Sequence, residues 1–218
     1  MKNRVLVMTA VEAELEAVRR GLNGDARFDL ALAGVGPAMA AARTAAALMR
    51  GREYGLVISA GIGGGFIGRA DVGSVAVASE IVAADLGAET PGGGFLSLDE
   101  LGFGSARAAV DTELSIRLVR ALEEAGVTVC RGPIITVSTV TGSADTALQR
   151  ALRVSEAAAE GMEGYGVAVA ARELGLPVLE FRAISNAVGP RDRSAWRIRE
   201  AMEALEKASS ILPEVLTT

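Results

Sequence analysis

The stretch RVLVMTAVEAELEAVRRGL, residues 4–22, decides the fold class. Its opening residues, 4–10, form a nearly unbroken apolar run, which predicts a strand buried on both faces. From residue 11 the period changes. Val11, Leu15, Val18 and Leu22 recur at helical spacing and predict an amphipathic helix over 11–22. A doubly buried strand followed at once by a helix is the repeating unit of a sheet with helices on its faces. The alternation continues outward from this unit. Strands are predicted at 27–34, 56–61, 74–82, within 126–140, and at 177–185. Helices are predicted at 37–50, 112–126, 162–175 and 194–216. Pro37 stands near the start of one helix, where its missing N–H costs nothing, and Gly126 stops another. The expected fold is therefore α/β, a sheet covered on both faces. With no internal repeat and no dividing linker, the 218 residues are expected to form a single domain, 1–218.

Composition narrows the chemistry. Half of the residues are hydrophobic but only 4% are aromatic, so the core must be built from Ala, Val, Leu and Ile. The net charge of −5 argues against nucleic acid as the main partner. There is no histidine, which excludes Ser-His-Asp triads, Cys-His pairs and histidine-based metal sites. Acid–base work falls to carboxylates, tyrosine, lysine, water or the substrate itself. The lone cysteine, Cys130, allows no internal disulfide and suits a reducing compartment; beside the run VTVC it reads as a small core residue. The N-terminal apolar run is short and soon meets Glu12 and Glu14, unlike a secretory leader, and no apolar run is long enough to cross a bilayer. The expectation is a soluble, cytoplasmic protein.

One segment stands apart. Residues 83–107, AADLGAETPGGGFLSLDELGFGSAR, form a long Gly-rich loop that carries Phe95, Leu96, Leu98, Leu101 and Phe103. Loops of that length in compact folds serve as lids, binding loops or interface arms, and the apolar content favours burial against a ligand or a second subunit.

Ligands in such sheets bind at the carboxyl ends of strands. The polar residues there are Thr9, Glu12 and Glu14; Ser59 and the glycines at 61, 63, 64 and 65; Ser138, Thr139 and Thr141; and Arg182, Ser185 and Asn186. Glu160, Met162 and Glu163 precede a helix. Together they suit a neutral, hydroxyl-rich ligand. Plainer readings stand beside these. GVG (34–36) and GIGGG (61–65) resemble pieces of a dinucleotide loop, but neither completes G-x-G-x-x-G, and tight turns or close backbone packing explain them as well. Acids at 12, 14 and 163 open helices, where the macrodipole favours them. Arg191, Asp192 and Arg193 read as a solvated turn, and Asn186 as a turn-former.

The order of the motifs is more specific than any of them. TAVEAEL (9–15), AGVGPAMAA (33–41), VISAGIGGGF (57–66), EGMEGYGVA (160–168) and FRAISNAVG (181–189) resemble the nucleoside phosphorylase/nucleosidase superfamily, especially its methylthioadenosine/S-adenosylhomocysteine nucleosidase branch. Within it, residues 83–104, 132–143, 160–171 and 182–198 look more like the futalosine hydrolase family. That resemblance implies a three-layer sandwich with a central mixed sheet. It implies hydrolysis of futalosine to hypoxanthine and dehypoxanthine futalosine, in an alternative route to menaquinone, with no metal or redox cofactor. It also implies association as a homodimer or larger homo-oligomer.

The same resemblance assigns roles. Glu14 matches the carboxylate that activates water, with Glu12 two residues away as an alternative. Glu163 matches the carboxylate that grips ribose hydroxyls, and Met162 the methionine packed on the sugar. Arg182 and Ser185 match a motif that orients the base-binding loop. Gly61, Gly63 and Gly64 belong to the wall behind the ribose, and Thr139 and Val140 flank the base. Phe95 and Phe103 would cover either the chain's own site or a neighbour's. Arg191, Arg193 and Arg197 are candidates for the benzoate carboxylate of futalosine. Two departures from the nucleosidase pattern matter. Asn186 replaces an aspartate that meets adenine, and Ile62 stands where a serine is usual. An amide donates to a ring nitrogen and to a carbonyl oxygen, whereas a carboxylate would meet a 6-oxo group acceptor to acceptor. Asn186 therefore favours hypoxanthine or guanine. Few arginines stand at the phosphate-binding positions of phosphorylases, which favours water as the nucleophile. The rivals are an adenine-releasing nucleosidase, a phosphorylase, and a non-catalytic nucleoside-binding protein, which would have no need of Glu14.

Overall fold

The computed structural model describes residues 4–50 and 52–217. The opening unit is β1 (Arg4–Thr9) followed by α1 (Glu12–Leu22), then β2 (Phe28–Leu32), α2 (Pro37–Leu48) and β3 (Tyr54–Gly65). Next come β4 (Val75–Ala83), a small hairpin of β5 (Gly87–Thr90) and β6 (Gly94–Ser97), β7 (Arg107–Ala109) and α3 (Thr112–Glu124). The rest is β8 (Val129–Thr136), α4 (Ala144–Arg153), β9 (Ala159–Gly161), α5 (Gly164–Glu173), β10 (Val178–Ala187) and α6 (Ile198–Val215). Local chemistry marks several starts. Asp111 accepts from Leu114 N–H at the head of α3 (2.9 Å), and Ser143 accepts from Thr146 N–H at the head of α4 (3.2 Å).

The sheet is mixed, as the resemblance implies. β2, β1 and β3 run parallel. Beyond β3 the sheet closes on itself. β3 pairs with β10, β10 with β4, β4 with β8, β8 with β9, and β9 returns to β3. Alternate residues of β1 enter different cores. Val5 and Val7 pack with α1, α3 and α6, whereas Leu6 and Met8 pack with α2 and α5. This is the α/β three-layer arrangement expected from strands apolar on both faces.

Three expectations change. Residues 61–65 form no turn. They continue β3 as regular strand, which also removes the dinucleotide-loop alternative. The glycines answer close approach: a Cβ on Gly61 would lie 2.7 Å from both Arg182 Nη1 and Glu14 Oε1. Residues 87–97 of the long loop are a hairpin. Its Phe95 ring lies 4.0 Å from the Arg153 guanidinium, and Phe103 is 79% exposed. Finally α4, β7 and β9 are additional elements. Cys130 is half-buried in β8, and burial pushes its thiol up.

Candidate active site

The carboxyl ends of β1, β3 and β10 converge with β9 and the 140–141 segment on a cavity of about 230 Å³. Glu14, Gly63, Gly64, Val140, Met162, Glu163, Ser185 and Asn186 all line it.

Glu14 is the third residue of α1, placed so that its side chain folds back over the helix start. Its Oε2 accepts from the N–H groups of Ala10 (2.9 Å) and Val11 (3.2 Å), and its Oε1 from Ile62 N–H (2.9 Å). The carboxylate is thus held by the helix start on one side and by the glycine strand on the other. Only 3% of the residue is exposed, and this burial raises the carboxyl above its ordinary range; the charge of Arg182 and the Ile62 N–H pull the other way. Glu12 is exposed and does not line the cavity, so geometry separates the two acids.

Glu163 lies at the head of α5. Its Oε1 accepts from Gly36 N–H at 3.3 Å, and its Oε2 stands 3.4 Å from Arg182 Nη1. Arg182 itself does not line the cavity. It is fully buried behind the wall, donating from Nε to Glu180 Oε1 and from Nη2 to Ser59 Oγ, both at 2.9 Å. Placed there, it orients carboxylates and makes no direct reach toward a base. Glu180 is buried alongside, and burial raises its carboxyl. At the opposite wall Ser185 Oγ donates to Asn186 Oδ1 (2.8 Å). This fixes the amide: one N–H of Nδ2 donates to Ala187 O at 3.0 Å, and the second remains for the cavity.

Besides Arg182, four of the expected residues lie outside the cavity lining. Gly61 packs against Arg182 and Glu14 behind the wall. Thr139 is exposed, its carbonyl taken by Arg150 Nη2 (2.5 Å), whereas Val140 and Thr141 line the cavity. Phe95 lines a separate cavity beside Arg153, and exposed Phe103 lines neither; within one chain neither covers the site, because the β5–β6 hairpin leans on α4. Of the three candidate arginines, Arg191 lines the cavity and lies 5.1 Å from the Trp196 ring, which lines it too. Arg193 flanks the same ring at 5.9 Å, and Arg197 is exposed. Glu160, a polar candidate of the sequence to which no role was assigned, lines the cavity, and so does Trp196, the chain's only tryptophan, which no motif singled out. Among the described residues no three carboxylate, cysteine or histidine side chains are grouped to hold a metal ion. Nor is any helix among them long and apolar enough to cross a membrane.

Residues 11–218 match the family model described as the phosphorylase superfamily, and the chain belongs to that superfamily. A solved methylthioadenosine/S-adenosylhomocysteine nucleosidase from Neisseria meningitidis, in complex with methylthio-immucillin-A, superposes with a TM-score of 0.80 at 22% identity, covering 98% of each chain. That likeness is one of fold. Sequence kinship is closer to another group. The chain is 50% identical to the futalosine hydrolase of Streptomyces coelicolor, over 97% of this chain and 96% of that one. It is 45% identical to that of Acidothermus cellulolyticus, over 97% and 91%. Within the superfamily, the chain belongs to the futalosine hydrolase family.

Proposed function

We propose that this chain hydrolyses the N-glycosidic bond of futalosine, releasing hypoxanthine and dehypoxanthine futalosine on the route to menaquinone. The observation that carries the reading is the convergence of Glu14, Glu163 and Asn186 on one cavity in a chain half identical to a futalosine hydrolase.

Cleavage builds positive charge on the ribose and sends the bond's electron pair to the base. Glu163, anchored by Gly36 N–H, is the acceptor for ribose hydroxyls and the counter-charge to the sugar cation. Met162 packs on the sugar, and Gly63 and Gly64 form the bare wall behind it. Glu14, its carboxyl raised by burial, takes a proton from water as the oxygen attacks C1′. Asn186 donates its free N–H to the departing oxopurine, and Ser185 keeps the amide turned that way. Water is favoured over phosphate because Arg191 is the only cation among the cavity-lining residues, and it stands beside Trp196. Arg191 is the partner for the benzoate carboxylate.

The working form is a homodimer or larger homo-oligomer in the cytoplasm. Exposed apolar side chains support assembly: Phe103, and Val35 and Met39 at the head of α2. On this reading Phe103 covers a neighbour's site.

The test incubates the protein with futalosine, inosine and methylthioadenosine, with and without phosphate, and follows base release. Hypoxanthine release from futalosine without phosphate is expected. Adenine release alone would overturn the base assignment, and strict phosphate dependence would overturn hydrolysis. Glu163→Gln is expected to lower turnover by about two orders of magnitude or more; unchanged turnover removes Glu163 from the mechanism.

A further inference from the structure

One carboxylate in the cavity has no task in that chemistry. Glu160 lies in β9, 6% exposed, and lines the cavity. Its place in the ring is informative. Asn186 on β10 is paired with Gly64 on β3, and Gly64 is paired with Glu160 on β9. Residues directly opposed across strands project from the same face of a sheet. Asn186 and Glu160 therefore rise on one face, two strand spacings apart, or roughly 10 Å at the backbone. Between them is a residue without a side chain. A Cβ on Gly64 would stand 2.9 Å from Val188 Cγ2 and 3.3 Å from Asn186 Nδ2, so a methyl and the amide both lean over that glycine.

Glu160 is also firmly held. Its Oε1 accepts from Thr141 N–H (2.8 Å); its Oε2 accepts from Thr141 Oγ1 (2.5 Å) and pairs with Arg150 Nη1 (2.6 Å). Arg150 in turn donates to the Thr139 carbonyl (2.5 Å) and to Thr141 Oγ1. A carboxylate accepts about four hydrogen bonds. Three are filled, and the open lone pair is on Oε1.

A 6-oxopurine presents two acceptors, N7 and O6, and then one donor, the N1–H, along a single edge. The free N–H of Asn186 serves the acceptors. The donor requires an acceptor at the far end, and Glu160 offers nothing else. A 6-aminopurine reverses the pattern, setting an N1 lone pair against the carboxylate. We propose that Glu160 accepts the N1–H of the base and, with Asn186 across Gly64, sets the preference for an oxopurine over an aminopurine. Arg150 and Thr141 are positioning residues that aim it. This rests on the proposed release of an oxopurine.

The test has two arms. In the first, the wild-type protein is titrated calorimetrically with hypoxanthine and with the same base carrying carbon in place of N1. That exchange removes the N1–H donor without adding bulk, the ring proton passing to N3 in the 6-oxo form that is compared. Affinity should fall by about tenfold or more; equal affinity overturns the proposal and needs no variant. In the second, Glu160→Gln is compared with wild type on futalosine and on the same nucleoside carrying adenine. A glutamine amide can accept from one base or donate to the other, so the ratio of kcat/KM values should shift toward adenine by about tenfold. A purely structural role would lower both values together and leave the ratio unchanged, which overturns the proposal. If wild type releases hypoxanthine from futalosine but both arms are flat, only Glu160 is misassigned. If it releases none, the functional reading itself fails.

Discussion

Two acids two residues apart have different fates because of where they sit on the first turn of α1. The third helical position can bend back to the unpaired amides at the helix start, and Glu14 does so; Glu12 points to solvent. Motif and spacing identified the pair, but only the three-dimensional turn separates its members. A raised carboxyl that must be ionised to act gives a defined acid limb. Turnover should rise with pH through a value above the ordinary carboxylate range. Glu14→Gln should abolish that limb and lower kcat by about 10²–10⁴-fold. A pH–rate profile retaining the limb in the variant would assign it to another group. The same shift has a stability sign. A carboxyl raised on folding contributes stability that is present below its unfolded value and lost as pH rises through its folded one. The stability of Glu14→Gln relative to wild type should therefore increase with pH across that window, as urea midpoints would measure. Asn186 was legible as a candidate for specificity because an amide and a carboxylate differ in what they donate. Asn186→Asp should lose futalosine turnover by about 1–3 kcal/mol of transition-state binding. Competition assays that find the preference for hypoxanthine intact would refute this.

At the scale of elements, the strands and helices with strong apolar patterns were readable, and the failures share a cause. In α4 the exposed residues include Leu148 and Leu152, while Arg150 is buried against Glu160. Its inward face carries only the small Ala147 and Ala151 beside Arg150, so the larger apolar residues point to the wrong face. β9 is three residues long, too short to show any period. The glycine run of β3 mimics a turn because strand propensity is low there. What keeps it extended is pairing on both sides, by β10 and β9. The glycines are needed for what crosses above them. Gly61→Ala should push apart Glu14 and Arg182, cost about 1–3 kcal/mol of stability by overpacking, and lower kcat more than it raises KM. A variant with wild-type kcat and an unshifted urea midpoint would show that the side chains yield freely.

At the scale of the molecule, one guanidinium in the interior faces three carboxylates. Arg182 stands among Glu180, Glu163 and Glu14, with Ser59 closing the set. It is buried behind the cavity and does not line it. A family pattern alone cannot tell a residue in the cavity from one behind it. The closure of the sheet has a further consequence, which concerns time. Val57 lies opposite Val178, so the pairing of β3 with β10 joins residues more than half the chain apart. A nascent chain that has not yet reached β10 can form β1–α1–β2–α2–β3, but Gly63 and Gly64 lack the neighbour that holds them extended. Contacts of such long range form late. Refolding from urea should thus restore most far-UV ellipticity before nucleoside hydrolysis returns, and simultaneous recovery would show that the ring closes early.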